Sequence, residues 1–186
     1  MYKDGSLKNY LDDLAARLPA PGGGSAAALA AALGASLISM VANFTIGKPK
    51  YAQYEQELKN ILGKSEQLRG EFLNLVDADV AAYKSKNIRE ALDVPLKVCR
   101  LCVEAVQLCP DLIQKGNTNL ISDVACAAVF LESAFASARY NVDINLKSLG
   151  DETLAKNLKK ELTQGENLIK AIRLRTEEKV GRIIRG

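Results

Sequence analysis

PAPGGGSAAALAAALGASLISMVAN, residues 19–43, carries no charged side chain and sets three consecutive glycines between a proline pair and an alanine-rich run. Extended to Ile46, the uncharged helix from Ser25 is 22 residues, about 33 Å long at 1.5 Å per residue, enough to cross a bilayer. Its alanines favour lipid little, however, and Ser25, Ser36, Ser39, Asn43 and Thr45 interrupt it. Small side chains let neighbouring helices approach from several directions, so the stretch reads as the central core helix of a bundle. That reading leaves PGGGS unexplained. A cap needs one glycine, whereas three adjacent residues without Cβ expose peptide N–H groups at the positive end of a helix, where a backbone meets an anion or a flat ligand.

The rest of the chain supplies partners for such a helix. Leu7, Tyr10, Leu11, Leu14 and Leu18 recur at helical spacing over residues 6–18, and Pro19 and Pro21 stop them. A long amphipathic helix is expected over 51–86. Asp93 followed by Pro95 predicts the start of another, running to Gly116 with a kink at Pro110. Residues 121–149 form a fifth, closed by Gly150, and Asp151 caps a sixth that runs to the carboxyl end. No repeat or linker divides the 186 residues, so the expectation is all-α: one domain, 1–186, a bundle of about six helices around a small-residue central helix.

Composition limits the chemistry. The net charge is +3 with dispersed basic residues, which does not call for nucleic acid. There is no histidine, so the usual proton shuttle near pH 7 and the commonest metal ligand are both missing. Cys99 and Cys102 form a CxxC, but Cys102 and Cys109 sit seven apart on a stripe that also holds Val98, Ala105 and Val106, which reads as core rather than as a redox or zinc site. The start, MYKDGSLKNYLDD, has no apolar signal core, and the thiols are expected to be reduced in a cytoplasm.

Two polar features stand out. The apolar stripe Leu58, Ile61, Leu68, Phe72, Leu75, Val76 continues into Asp79 and Tyr83, so a carboxylate lies where a hydrophobe is due. A carboxylate so placed is costly unless it is paired or used, and burial pushes its pKa upward. A salt bridge to a lysine or arginine at the core edge and a catalytic role both satisfy that condition. Asp77 points about 200° away from Asp79, so DAD is not a carboxylate pair. The second feature is GNTNLISD, 116–123, and NVDIN, 141–145, at opposite ends of one helix. Asp123 and Asn141 share a face but stand about 27 Å apart. They serve either separate roles or one site completed by a second, symmetric chain. Caps and interhelix hydrogen bonds are the structural alternative, strongest for Asn119 and Ser122.

Taken together and in order, PAPGGGS, MVANFTIGKPKY, DADVAAY, VPL, GNTNLISD and NVDINL resemble the cyclodeaminase/cyclohydrolase family over residues 6–178, with Val80 standing where a smaller residue is expected. The resemblance implies an all-helical cytoplasmic homodimer acting on one-carbon adducts of tetrahydrofolate, with no other cofactor and no metal, nucleic acid or membrane partner. Without a transferase half, it implies either a methenyltetrahydrofolate cyclohydrolase or a free-standing formimidoyltetrahydrofolate cyclodeaminase. Asp79 or Asp123 then becomes the proton-transferring group. Gly22, Gly23, Gly24 and Ser25 offer backbone to the pterin or the glutamate tail, Lys48 and Lys50 meet the tail's carboxylates, and Asn43, Tyr83, Asn119, Asn141 and Asn145 line the substrate. A non-catalytic dimer or folate-binding module is the competing class; it requires Asp79 to be tied to a basic partner.

Overall fold

The computed structural model describes all 186 residues, and they form seven α-helices with three short 3-10 turns and no strand. The helices are α1 (Leu7–Ala15), α2 (Gly23–Asn43), α3 (Glu55–Ser85), α4 (Ile88–Val106), α5 (Cys109–Lys115), α6 (Ile121–Leu149) and α7 (Glu152–Arg185). α2 is the central helix, packed mainly between α3 and α6 and touching α4 and α5. By length and composition α2 and α6 resemble membrane spans, yet 61% of the most apolar stretch of α2 is buried within the protein itself. Its small residues permit this. Ala28, Ala31 and Ala35 are fully enclosed, and a Cβ on Gly34 would stand 2.8 Å from Leu131 Cγ and 3.2 Å from the Ala127 carbonyl oxygen of α6. At the start of α2, Gly23 lies against Asn141; Gly34 faces Leu131 and Ala127, so the two helices run antiparallel.

Several boundaries differ from expectation, each for a local reason. Gly23 and Gly24 belong to the first turn of α2, with Gly22 as its cap. Residues 49–54 wind as a 3-10 turn before α3. α4 starts at Ile88 rather than at Asp93, because the Asn87 side chain accepts from the Arg89 and Glu90 amides and starts the helix there. The kink expected at Pro110 is instead a break: α4 ends at Val106 and Pro110 sits in the first turn of a separate α5.

Pro95 therefore lies inside α4, where its missing N–H deprives the Ala91 carbonyl of its helical donor. Asn145 of α6 replaces that donor, its Nδ2 giving a 2.6 Å hydrogen bond to the Ala91 oxygen. At the C-terminus of α6, five residues beyond Asn145, Gly150 adopts φ 72°, a conformation that costs glycine nothing, and Asp151 accepts from the Leu154 amide to start α7. Cys99, Cys102 and Cys109 are buried, with Cys99 and Cys109 pushed by desolvation up to about 12 and Cys102 well above its ordinary value. They are core thiols, held protonated.

Candidate active site

The first turn of α2 has no side chain of its own to cap it, since Gly22 precedes Gly23 and Gly24. α3 supplies the cap. Asp79 Oδ2 accepts a 2.9 Å hydrogen bond from the Ser25 amide, and the carboxylate lies directly over Gly24. A Cβ on Gly24 would stand 2.8 Å from the carboxylate carbon and closer still to Oδ1, so only glycine admits this approach. Gly23 is less constrained, its Cβ position 3.4 Å from Asn141 Nδ2, and nothing lies within 4 Å at Gly22. The three glycines thus have three different reasons: a cap, a contact with α6 and a seat for a carboxylate.

Asp79 is half-buried, and none of the protein's ion pairs includes it. The core-edge salt bridge, one of the two readings of a carboxylate in this stripe, does not form. Burial raises the Asp79 pKa above the ordinary carboxylate range, and the Ser25 N–H opposes the rise in part. Oδ1 accepts no hydrogen bond from the protein, so one oxygen is fixed while the other can exchange a proton. Asp77 plays a different part, as its opposite orientation on the helix requires. It accepts from the Tyr2 amide at 2.6 Å and the Lys3 amide at 3.3 Å and anchors the chain's first residues.

The sequence-predicted residues fall into two groups. Gly22, Gly23, Gly24, Ser25, Asp79 and Asn141 meet at the start of α2, with Tyr83 one turn beyond Asp79 and 56% exposed. The Asn141 amide donates to the Ser137 carbonyl of its own helix, leaving its Oδ1 unbonded beside Gly23. Asn145 is one turn further along α6, its amide committed to Ala91. The second group, Asn43, Lys48, Lys50, Asn119 and Asp123, gathers at the far end of α2, about 30 Å of helix away. There Asn117 donates through Nδ2 to the Phe44 carbonyl, and the Thr118 amide donates to Tyr51 Oη. Lys50 lies 5.3 Å from the Tyr51 ring centroid, and neither Lys50 nor Lys48 has a carboxylate partner. Asp123 is half-buried in the first turn of α6. Asp79 and Asp123 therefore do not act on one atom within a single chain.

Two groups escaped the sequence reading. Asn117 is the cap of the 118–120 turn, accepting from the Asn119 amide, a role expected of Asn119 or Ser122. Tyr10 lies behind Ser25 with its hydroxyl 3.2 Å from Ser25 Oγ. In sequence Tyr10 is simply a member of an apolar stripe, and nothing marks its hydroxyl. The acidic and thiol side chains do not gather into any group of three or more suited to a metal ion.

A family profile described as formiminotransferase-cyclodeaminase matches residues 6–86 and 84–164. Methenyltetrahydrofolate cyclohydrolase from Methylorubrum extorquens is 39% identical over 180 residues, 84% of this chain and 86% of that protein. Formimidoyltransferase-cyclodeaminase from Rattus norvegicus is 31% identical over 172 residues, 80% of this chain but 32% of that larger protein. The crystal structure of formiminotetrahydrofolate cyclodeaminase from Thermotoga maritima superposes with a TM-score of 0.94 at 32% identity, covering 99% of this chain and 100% of that one.

Proposed function

Given that the chain belongs to the formiminotransferase-cyclodeaminase family, we propose that it hydrolyses 5,10-methenyltetrahydrofolate to 10-formyltetrahydrofolate, with Asp79 as the proton-transferring residue. The observation that carries the reading is a carboxylate free of any basic partner, raised in pKa by burial and fixed through one oxygen at the glycine end of α2. Water attacks the amidinium carbon between N5 and N10 and gives its proton to Oδ1. The tetrahedral carbon then collapses: its C–N5 bond breaks, Asp79 returns a proton to N5, and the hydroxyl proton leaves to solvent as the formyl carbonyl forms on N10. A carboxyl with a raised pKa fits both halves of that exchange. The bare turn at Gly22–Gly24 gives a flat pterin a close approach to backbone, Tyr83 stands open to stack on it, and the Asn141 Oδ1 is free to accept from it.

The deaminase reading shares the same carbon. There N10 attacks a formimino carbon and ammonia leaves, and the likeness to the Thermotoga maritima cyclodeaminase supports it. Cyclohydrolase is the primary reading because the identity to the Methylorubrum extorquens enzyme, 39%, extends over most of both chains.

The far group, Lys48, Lys50, Asn43, Asn119 and Asp123, reaches the same substrate only from a second copy. α6 buries 39% of its most apolar stretch and leaves Val129, Phe130, Tyr140 and Ile144 exposed, with Leu33 of α2 exposed as well. A two-fold axis across this face of two antiparallel helices sets the start of one α2 near the end of the other. The proposed assembly is a cytoplasmic homodimer in which the partner's lysines meet the glutamate carboxylates, with no cofactor beyond the folate.

Loss of methenyltetrahydrofolate absorbance tests the activity, with ammonia release from the formimino adduct as the second arm. Turnover by the purified chain that falls by about 10²- to 10⁴-fold in Asp79→Asn is expected. Tight folate binding by calorimetry without turnover of either adduct would establish the non-catalytic module instead. Phe130→Asp should yield monomers with little activity, and a fully active monomer would refute the shared site.

A further inference from the structure

On the reading of Asp79 just given, we infer that Tyr10 is a positioning residue for its carboxylate, acting through Ser25. Tyr10 is 3% exposed and Ser25 fully buried, so both must find their hydrogen bonds within the protein. Ser25 Oγ donates its single proton to the Val76 carbonyl at 2.9 Å. Tyr10 Oη at 3.2 Å must then be the donor to Ser25 Oγ, which fixes the direction of the chain. The amide of the same serine donates to Asp79 Oδ2. Ser25 therefore fastens to α3 at two points three residues apart, Val76 and Asp79, and Tyr10 holds the serine between them.

Tyr10 is itself held. Its ring meets that of Tyr2 edge-on, centroids 5.3 Å apart at 85°, and the Tyr2 hydroxyl donates to Asp13 Oδ2 at 2.8 Å. The Tyr2 amide donates to Asp77 Oδ1. The path from Asp77 through Tyr2, Tyr10 and Ser25 to Asp79 begins and ends on one turn of α3, closing a circuit that braces the first turn of α2. Burial also pushes the Tyr10 hydroxyl above its ordinary phenol value, so it stays a donor throughout the neutral range. Tyr10 stands behind Ser25 and touches no open surface of the site, which makes it a positioning rather than a catalytic residue. Its effect is to fix the direction of Oδ1, on which proton transfer depends steeply.

The test uses Tyr10→Phe, Ser25→Ala and the double variant in the 186-residue chain. Tyr10→Phe should lower kcat about tenfold with KM unchanged within about twofold. The double variant should be no slower than Ser25→Ala alone, as expected for residues acting in one chain. Wild-type kcat in Tyr10→Phe, or losses that multiply in the double variant, would overturn the inference. A readout independent of turnover separates this outcome from a failure of the proposed reaction. The Ser25 amide proton resonance, which reports its bond to Asp79, should move upfield in Tyr10→Phe, and an unmoved resonance would overturn the inference even if neither folate adduct is a substrate.

Discussion

The Asp79 carboxylate lies on the Cα of Gly24, with room for nothing between them. A Cβ at that position would stand 2.8 Å from the carboxylate carbon. The carboxylate caps α2 only because Gly24 has no side chain, so the bare turn and the polar residue in an apolar stripe are one device.

Gly24→Ala should therefore push Asp79 off the Ser25 amide. The expected result is a stability loss of about 1–3 kcal/mol from overpacking, with turnover falling far more than in Gly22→Ala, where open space surrounds the new methyl. Thermal melting and steady-state kinetics on the two variants check this. Equal activity in both would show that the contact has no role in catalysis.

Asp79→Asn keeps an acceptor oxygen for Ser25 but cannot take a proton. Turnover should drop by about 10²- to 10⁴-fold with folate binding retained. Stability should move the other way. Because burial raises the Asp79 pKa in the folded protein, the native state binds that proton more tightly than the unfolded chain. The wild type thus loses stability as pH rises from the ordinary carboxylate range through the raised value. The asparagine has no such slope. Its melting temperature relative to wild type should be most favourable at neutral pH, and the difference should shrink toward acid. A variant whose deficit grows as pH rises would mark the ionised carboxylate as a structural cap.

Asn145→Ala should cost about 1–3 kcal/mol, because it leaves the Ala91 carbonyl, already deprived of its helical donor by Pro95, without a partner. Pro95→Ala restores a backbone N–H to that carbonyl. The double variant should lose clearly less than the sum of the two single losses measured by denaturant unfolding. Simple additivity would mean that Asn145 is not answering Pro95.

Cys99, Cys102 and Cys109 are held as thiols by desolvation. In the folded protein at neutral pH they should resist an alkylating reagent that modifies them readily in denaturant. Modification of the native CxxC at a rate near that of the unfolded chain would reopen the redox reading.

The helical class, the central position of α2, the bounds of α6 and the start of α7 follow from the sequence alone. Apolar spacing, uncharged alanine-rich runs and stop signals such as Gly150 are local properties that tertiary packing here reinforces. Asp79 stands out for the same reason, since a carboxylate breaking a stripe is visible along one helix. The start of α4 is hidden in the sequence because Asp93 and Pro95 imitate a cap, whereas Asn87 supplies the earlier one and a side chain from α6 makes the internal proline tolerable. Only the tertiary structure decides why Gly24 is glycine, which of Asp79 and Asp123 shares a site with the bare turn, and that Tyr10 stands behind it. Each of these rests on contacts between residues far apart in the chain, Gly24 with Asp79 and Gly23 with Asn141, whose distance is set by how helices pack and leaves no periodic trace in either partner's own stretch of sequence.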